Sequence, residues 1–148
     1  MDFQNRGGFS LVELITVLSL MAILLAIAIP ASNKLLLSYQ LNSAARRVQT
    51  ELQNVKMRAA AENFGFQFAY SAGSGTYSIR RDGIVLVTKP LPEGIQITQA
   101  GTVSFSPRGT AGGNRIRLRS SEDGCKQVVV SSTGRIRVCN PNACTGDC

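Results

Sequence analysis

Three patterns of apolar and polar positions follow one another along the chain. Met1–Gly8 is polar, and Phe9–Ile29 is a run of 21 residues, almost all apolar, closed by Pro30. Apolar or small residues then recur at Leu41, Ala45, Val48, Leu52, Val55 and Ala59, in steps of four and three. That spacing puts one greasy stripe on a helix, with Arg46, Arg47, Gln49, Glu51, Gln53, Lys56 and Arg58 on its other faces. Together the two stretches predict one helix from about Leu11 to about Glu62, apolar all round in its first half and amphipathic in its second. Pro30 falls inside it, where it deletes a backbone hydrogen bond and favours a kink. Asn63-Phe64-Gly65 supplies the stop.

After Gly65 the period drops from helical to alternating. Strands are predicted near Phe66–Tyr70, Thr76–Arg81, Ile84–Lys89, Ile95–Gln99, Thr102–Ser106, Arg115–Arg119, Cys125–Val130 and Arg135–Cys139. Asp82-Gly83 is a two-residue hairpin signal. The stretches 90–94 and 107–113, rich in proline and glycine, are loops. The expected fold is α+β, with antiparallel sheets packed on the helix stripe.

The single charge in the apolar run is Glu13. A helix of 21 residues is about 30 Å long, the thickness of a bilayer core. A carboxylate in such a segment is costly and needs a partner. A secretory signal peptide has a shorter apolar core followed by its cut site. Here the Gly7-Gly8 pair precedes the apolar core, so cleavage between Gly8 and Phe9 leaves the greasy helix on the mature protein. The new amine at Phe9 then lies one helical turn from Glu13, near a helix N-terminus that favours negative charge.

Gly8-Phe9-Ser10-Leu11-Val12-Glu13-Leu14, with Pro30 at the twenty-second mature position, resembles the N-terminus of type IV pilins and pseudopilins. The resemblance implies the type IV pilin fold and three segments. These are a prepilin leader (1–8), a transmembrane and assembly half of the helix (9–33), and an extracytoplasmic globular domain (34–148). It implies cleavage by a prepilin peptidase, methylation of Phe9, passage through the bacterial inner membrane, and assembly with major and minor pilin subunits. Phe9, Glu13 and Pro30 are the assembly residues, Glu13 meeting the amine of a neighbouring subunit. Phe105-Ser106-Pro107-Arg108-Gly109-Thr110 before a late strand pair narrows the resemblance to the GspH/FimT branch, the minor pilins and minor pseudopilins. A pilus and a type II secretion apparatus share the N-terminal motif, so both locations stay open.

Net charge is +7, with no histidine, and residues 101–148 carry seven basic side chains against three acidic. Without histidine the usual general base is missing, and no catalytic triad, nucleotide loop or metal constellation is present; the chain reads as no enzyme, without cofactor or metal. The arginines are ordered. Arg115, Arg117 and Arg119 alternate with Ile116 and Leu118, and Arg135 and Arg137 with Ile136 and Val138. In strands this parity sends the aliphatic residues inward and five guanidinium groups outward. Arginine's planar fork matches phosphate oxygens, and Phe105 is the last aromatic, so contact with a nucleic-acid backbone is favoured over base stacking. The plain reading of such strands is protection of a sheet edge. Gly134-Arg135-Ile136-Arg137 has the Gly-Arg-x-Arg form of FimT-like minor pilins that bind DNA in natural transformation. The resemblance therefore implies non-specific binding of double-stranded DNA by Arg135 and Arg137 beside Gly134, with Arg115, Arg117 and Arg119 added from strand parity. The alternative is a structural subunit that primes or caps the fibre and has no DNA role.

All four cysteines, Cys125, Cys139, Cys144 and Cys148, lie in the last 24 residues. Outside the cytoplasm an even count reads as disulfides. A symmetrical turn at Ser131–Gly134 opposes Cys125 to Cys139, Gln127 to Arg137 and Val129 to Arg135, and turns Lys126 inward with Val138. Of three possible connectivities this register favours 125–139 with 144–148. A zinc site on Cys139, Cys144 and Cys148 has poor spacing.

Overall fold

The computed structural model describes residues 10–121, 124–141 and 144, and only the backbone of 27–34. Helix α1 spans Leu11–Ala61, one residue short of the expected end. Its stop is a left-handed residue: Asn63 has φ 52°, and the Phe64 amide donates back to the Ala59 carbonyl at 3.1 Å. Asparagine tolerates that conformation, and the bond satisfies a carbonyl the helix end leaves open.

Two compact units divide the chain, Met1–Leu35 and Leu36–Cys148. In the first, the leader, Gly8 and Phe9 lie outside the described residues. The large apolar side chains from Leu11 to Leu25 are exposed, as is Glu13, which makes no ion pair among the described residues. The hydroxyls of Thr16 and Ser19 donate to the Glu13 and Ile15 carbonyls at 2.8 Å, which satisfies them within the helix. No helix is long and apolar enough to cross a membrane among the described residues. The side chains of 27–34 are not described, and Leu11–Ala26 alone reaches only about 24 Å. Pro30 lies within α1.

The second unit holds the core. Leu41, Ala45, Val48, Leu52, Val55 and Ala59 are all buried, as the stripe predicts, with Ala44 beside them. They pack against two four-stranded antiparallel sheets. The strands are β1 (Phe66–Tyr70), β2 (Thr76–Arg81), β3 (Ile84–Pro90), β4 (Ile95–Ile97), β5 (Gly101–Phe105), β6 (Asn114–Ser120), β7 (Cys125–Val130) and β8 (Ile136–Cys139). All eight expected strands are present. The first sheet has the order β3-β2-β1-β5 and the second β4-β6-β7-β8. Asp82 and Gly83 both have positive φ (50° and 79°), the requirement of a tight primed hairpin turn between β2 and β3. Phe66, Phe68, Val103 and Phe105 of the first sheet and Ile97, Ile116, Leu118 and Val128 of the second meet the helix stripe at the centre. The Asn114 side-chain amide donates to the Thr102 carbonyl at 3.1 Å and ties β6 to β5, where the sheets adjoin.

Candidate nucleic-acid interface

Strand parity places the arginines of β6. Ile116, Leu118 and Ser120 are buried, while Arg115 and Arg119 are exposed and Arg117 is half-buried. The backbone beneath Arg115 is held hard. Its carbonyl accepts from the Tyr70 hydroxyl at 3.1 Å and from the Gln99 side-chain amide. Burial pushes the Tyr70 hydroxyl up to about 12, so it stays a donor through the physiological range.

The pairing of β7 with β8 departs from the expected register. Gln127 faces Cys139, Val128 faces Val138, Val129 faces Arg137 and Val130 faces Ile136. The connection is therefore five residues long, closed by the Ser131 amide donating to the Arg135 carbonyl at 2.9 Å. The offset from expectation is two residues. Side chains alternate with period two, so a slip of two keeps every residue on its face. Arg137 still points outward, and Ile136 and Val138 still pack against the core. Lys126 is half-buried and donates to Asn140 in place of facing Val138. Arg135 ends the turn and does not begin β8.

The disulfide pairing changes for the same reason. Cys139 stands opposite Gln127, which leaves Cys125 diagonal to it; diagonal partners are about 7–8 Å apart, too far for a bridge. Cys125 is bridged to Cys144, with Cα atoms 5.4 Å apart. Cys139 is also disulfide-bonded, and Cys148 lies outside the described residues. The expected pairing of 125–139 with 144–148 thus gives way to a bridge that ties the C-terminal segment to the start of β7. Gln127 lies on the outward parity beside this tie, yet is fully buried.

Across the second sheet, Arg115, Val129 and Arg137 form one cross-strand row. Two strand spacings separate the two arginines, about 10 Å. Arg117 and Arg119 follow Arg115 at steps of about 7 Å along β6. Arg115, Arg117, Val129 and Gln99 line a shallow depression of about 440 Å³ on this face. Arg119 stands opposite Cys125, at the disulfide end.

Gly134 explains how Arg135 is presented. Its φ is +75°, and a Cβ built there falls 2.1 Å from the Gly109 carbonyl oxygen. Lys56 of α1 reaches between the two loops and donates to the Gly134 carbonyl at 2.9 Å. The Ala111 amide donates to the Ser132 carbonyl at 3.1 Å, so the loop before β6 is bonded to the turn before β8. That contact adds a residue the sequence reading leaves in a loop: Arg108, exposed and next to Gly109. Its only sequence signal is the Pro-Arg-Gly turn. Arg108, Arg135 and Arg137 make no ion pair among the described residues, whereas Arg58, Arg81 and Lys89 elsewhere are paired with Glu62 or Glu51.

Residues 44–134 match the family of the type II transport protein GspH, and residues 3–29 match the prokaryotic N-terminal methylation motif. The chain belongs to the GspH family. With the methylation motif, this makes it a minor pilin or pseudopilin of the type IV pilus and type II secretion class. Among solved structures it is similar to the type IV minor pilin FimU of Pseudomonas aeruginosa, with TM-score 0.58 and 17% identity over 72% of this chain and 96% of that one. It is likewise similar to the minor pseudopilin EpsH from the Type 2 Secretion System of Vibrio cholerae, with TM-score 0.56 and 12% identity over 70% and 98%. At these identities the likeness establishes the α+β pilin fold. A comparison with curated proteins gave no match. The GspH match includes Gly134 and ends just before Arg135 and Arg137.

Proposed function

We propose that this GspH-family protein is a minor pilin of a type IV pilus and binds extracellular double-stranded DNA, without sequence preference, for uptake in natural transformation. The observation that carries the reading is the cross-strand row of Arg115 and Arg137, extended along β6 by Arg117 and Arg119 and at the adjoining loops by Arg135 and Arg108. Duplex DNA carries one charge per about 1.7 Å of axis, so a row about 10 Å long spans roughly six phosphate charges. The last aromatic, Phe105, is buried in the core and cannot stack on a base. Backbone contact without base stacking follows from that inventory.

The same reading assigns the N-terminal half to assembly. The prepilin peptidase removes the leader after Gly8, Phe9 is methylated, and the subunit waits in the inner membrane before it enters the fibre. Exposed Glu13 then finds its counter-charge on the amine of a neighbouring subunit. The protein works by assembly and binding, with no catalytic step.

The test is a mobility-shift titration of residues 36–148, the unit that contains the whole core. Arg135→Ala with Arg137→Ala weakens binding equally for unrelated duplexes and flattens the salt dependence by about one slope unit per lost contact. Unchanged affinity in the double variant rejects this site. A wild-type unit without affinity at physiological salt leaves the assembly role alone.

A further inference from the structure

Arg80 is a cation that the packing of the fold leaves unmatched. Its neighbour Arg81 pairs with Glu62 at 3.0 Å and lies over the Phe64 ring. Buried Tyr77 and Ile79 face the core, so alternation along β2 turns Ser78 and Arg80 to the outward side of the first sheet. Arg80 makes no ion pair and no hydrogen bond among the described residues, and its Nε atom is buried without a partner. A buried donor left unmade is costly, and a ligand that accepts from it removes that penalty.

The surroundings select the sign of that ligand. None of β1, β2, β3 and β5 contains an aspartate or a glutamate. Cross-strand pairing sets Thr88, Ser78, Ala69 and Thr102 in one row on this side, and Arg80, Gln67 and Ser104 in another. Ala69 is the smallest side chain of its row, which leaves a shallow depression of about 440 Å³ lined by Ser78, Arg80, Thr88 and Thr102. Hydroxyls and a guanidinium are the donors that hold phosphate oxygens. The edge strand β3 bounds the depression with an apolar run, Ile84–Val87, that is exposed and uncharged.

On its other side the depression runs to the arginine face. It reaches Ala100 and Gly101, while Gln99, the residue before them, lines the depression of Arg115 and Arg117 and donates to the Arg115 carbonyl. Arg80 stands two strands and three residues from Gly101, roughly 14 Å away.

We infer that Arg80 is a further phosphate contact, and that a bound duplex crosses from the arginine face over residues 99–101 onto the outward side of the first sheet. Ser78, Thr88 and Thr102 supply neutral contacts to the same backbone. The inference rests on the DNA reading above and adds to it a residue and a direction for the duplex.

Mobility-shift titration of residues 36–148 carrying Arg80→Gln tests it, beside wild type and the Arg135→Ala, Arg137→Ala double variant. Arg80→Gln should lower affinity for unrelated duplexes roughly fivefold, the worth of one phosphate contact near a surface, without lowering the melting temperature. A photo-crosslinking side chain in place of exposed Thr88 gives a second measurement that does not depend on that variant, with the same probe at exposed Thr50 on the outer side of α1 as control. Duplex DNA should be captured from position 88 and not from 50. Weakened binding in the double variant with full affinity in Arg80→Gln overturns this inference and leaves the DNA reading standing. Capture at 88 no greater than at 50 does the same. A wild-type unit without affinity for DNA overturns both.

Discussion

Gly134→Ala is the sharpest perturbation of the site, because it removes no charge. Two costs add. Alanine at φ +75° pays the left-handed strain, about 1–2 kcal/mol. The new methyl also falls 2.1 Å from the Gly109 carbonyl and 3.0 Å from the Lys56 amine. The lysine end can swing away, but the carbonyl belongs to a loop bonded to the same turn, so backbone must move. Forced overpacking of this kind costs about 1–3 kcal/mol more. Gly83 provides an internal control: its φ is +79°, and nothing lies within 4 Å of a built Cβ. Gly83→Ala isolates the strain term. Denaturant unfolding of residues 36–148 should place Gly134→Ala about 1–3 kcal/mol below Gly83→Ala. The thermal gap is about 4 °C or more for a unit of this size. DNA affinity should fall in Gly134→Ala, where Arg135 is displaced, and hold in Gly83→Ala. Equal stability of the two alanine variants refutes the close approach of the loops at Gly134 and Gly109.

Two further expectations follow from the same unit. Peptide mapping without reduction should recover a Cys125–Cys144 linked pair, and Cys125→Ser with Cys144→Ser should cost about 3 kcal/mol of stability for a bridge of sequence separation 19; a linked Cys125–Cys139 peptide contradicts the register. Burial pushes both Tyr70 and Tyr77 from 10 up to about 12, Tyr77 with help from nearby Glu51. Below pH 10 both the folded and unfolded chains keep these protons, whereas between pH 10 and 12 only the unfolded chain gives them up, so stability falls as pH rises through that window. Tyr77→Phe should flatten the fall measured by fluorescence-detected unfolding, and an unaltered profile contradicts the assignment.

Local periodicity carried most of this architecture in plain view. The helix stripe is a matter of steps of three and four, and its six positions are buried. Each strand follows from alternation and each hairpin from its turn residues, so the outward arginines of β6 and β8 were legible too. Sheet order was not, because nothing in the sequence distinguishes β5 beside β1 from β4 beside β1. The β7–β8 register failed on one term, the length of the turn. Gly134 in the left-handed region lets Arg135 close a five-residue connection, and the shift of two moved Cys139 off Cys125 and changed the bridge. Arg108 was hidden for a similar reason: its place near Arg135 depends on loops 25 residues apart meeting at Lys56. The apolar edge at β3 was read as an ordinary strand, since alternation cannot tell a covered face from an uncovered one.

The salt dependence of DNA binding by residues 36–148 bears most directly on the central claim that the arginine face grips a phosphate backbone. For two duplexes of unrelated sequence, the account predicts one common line of log affinity against log salt, with a slope of about −5 for the six arginines of the face. A flat line, affinity for only one of the sequences, or no binding at low salt would contradict it.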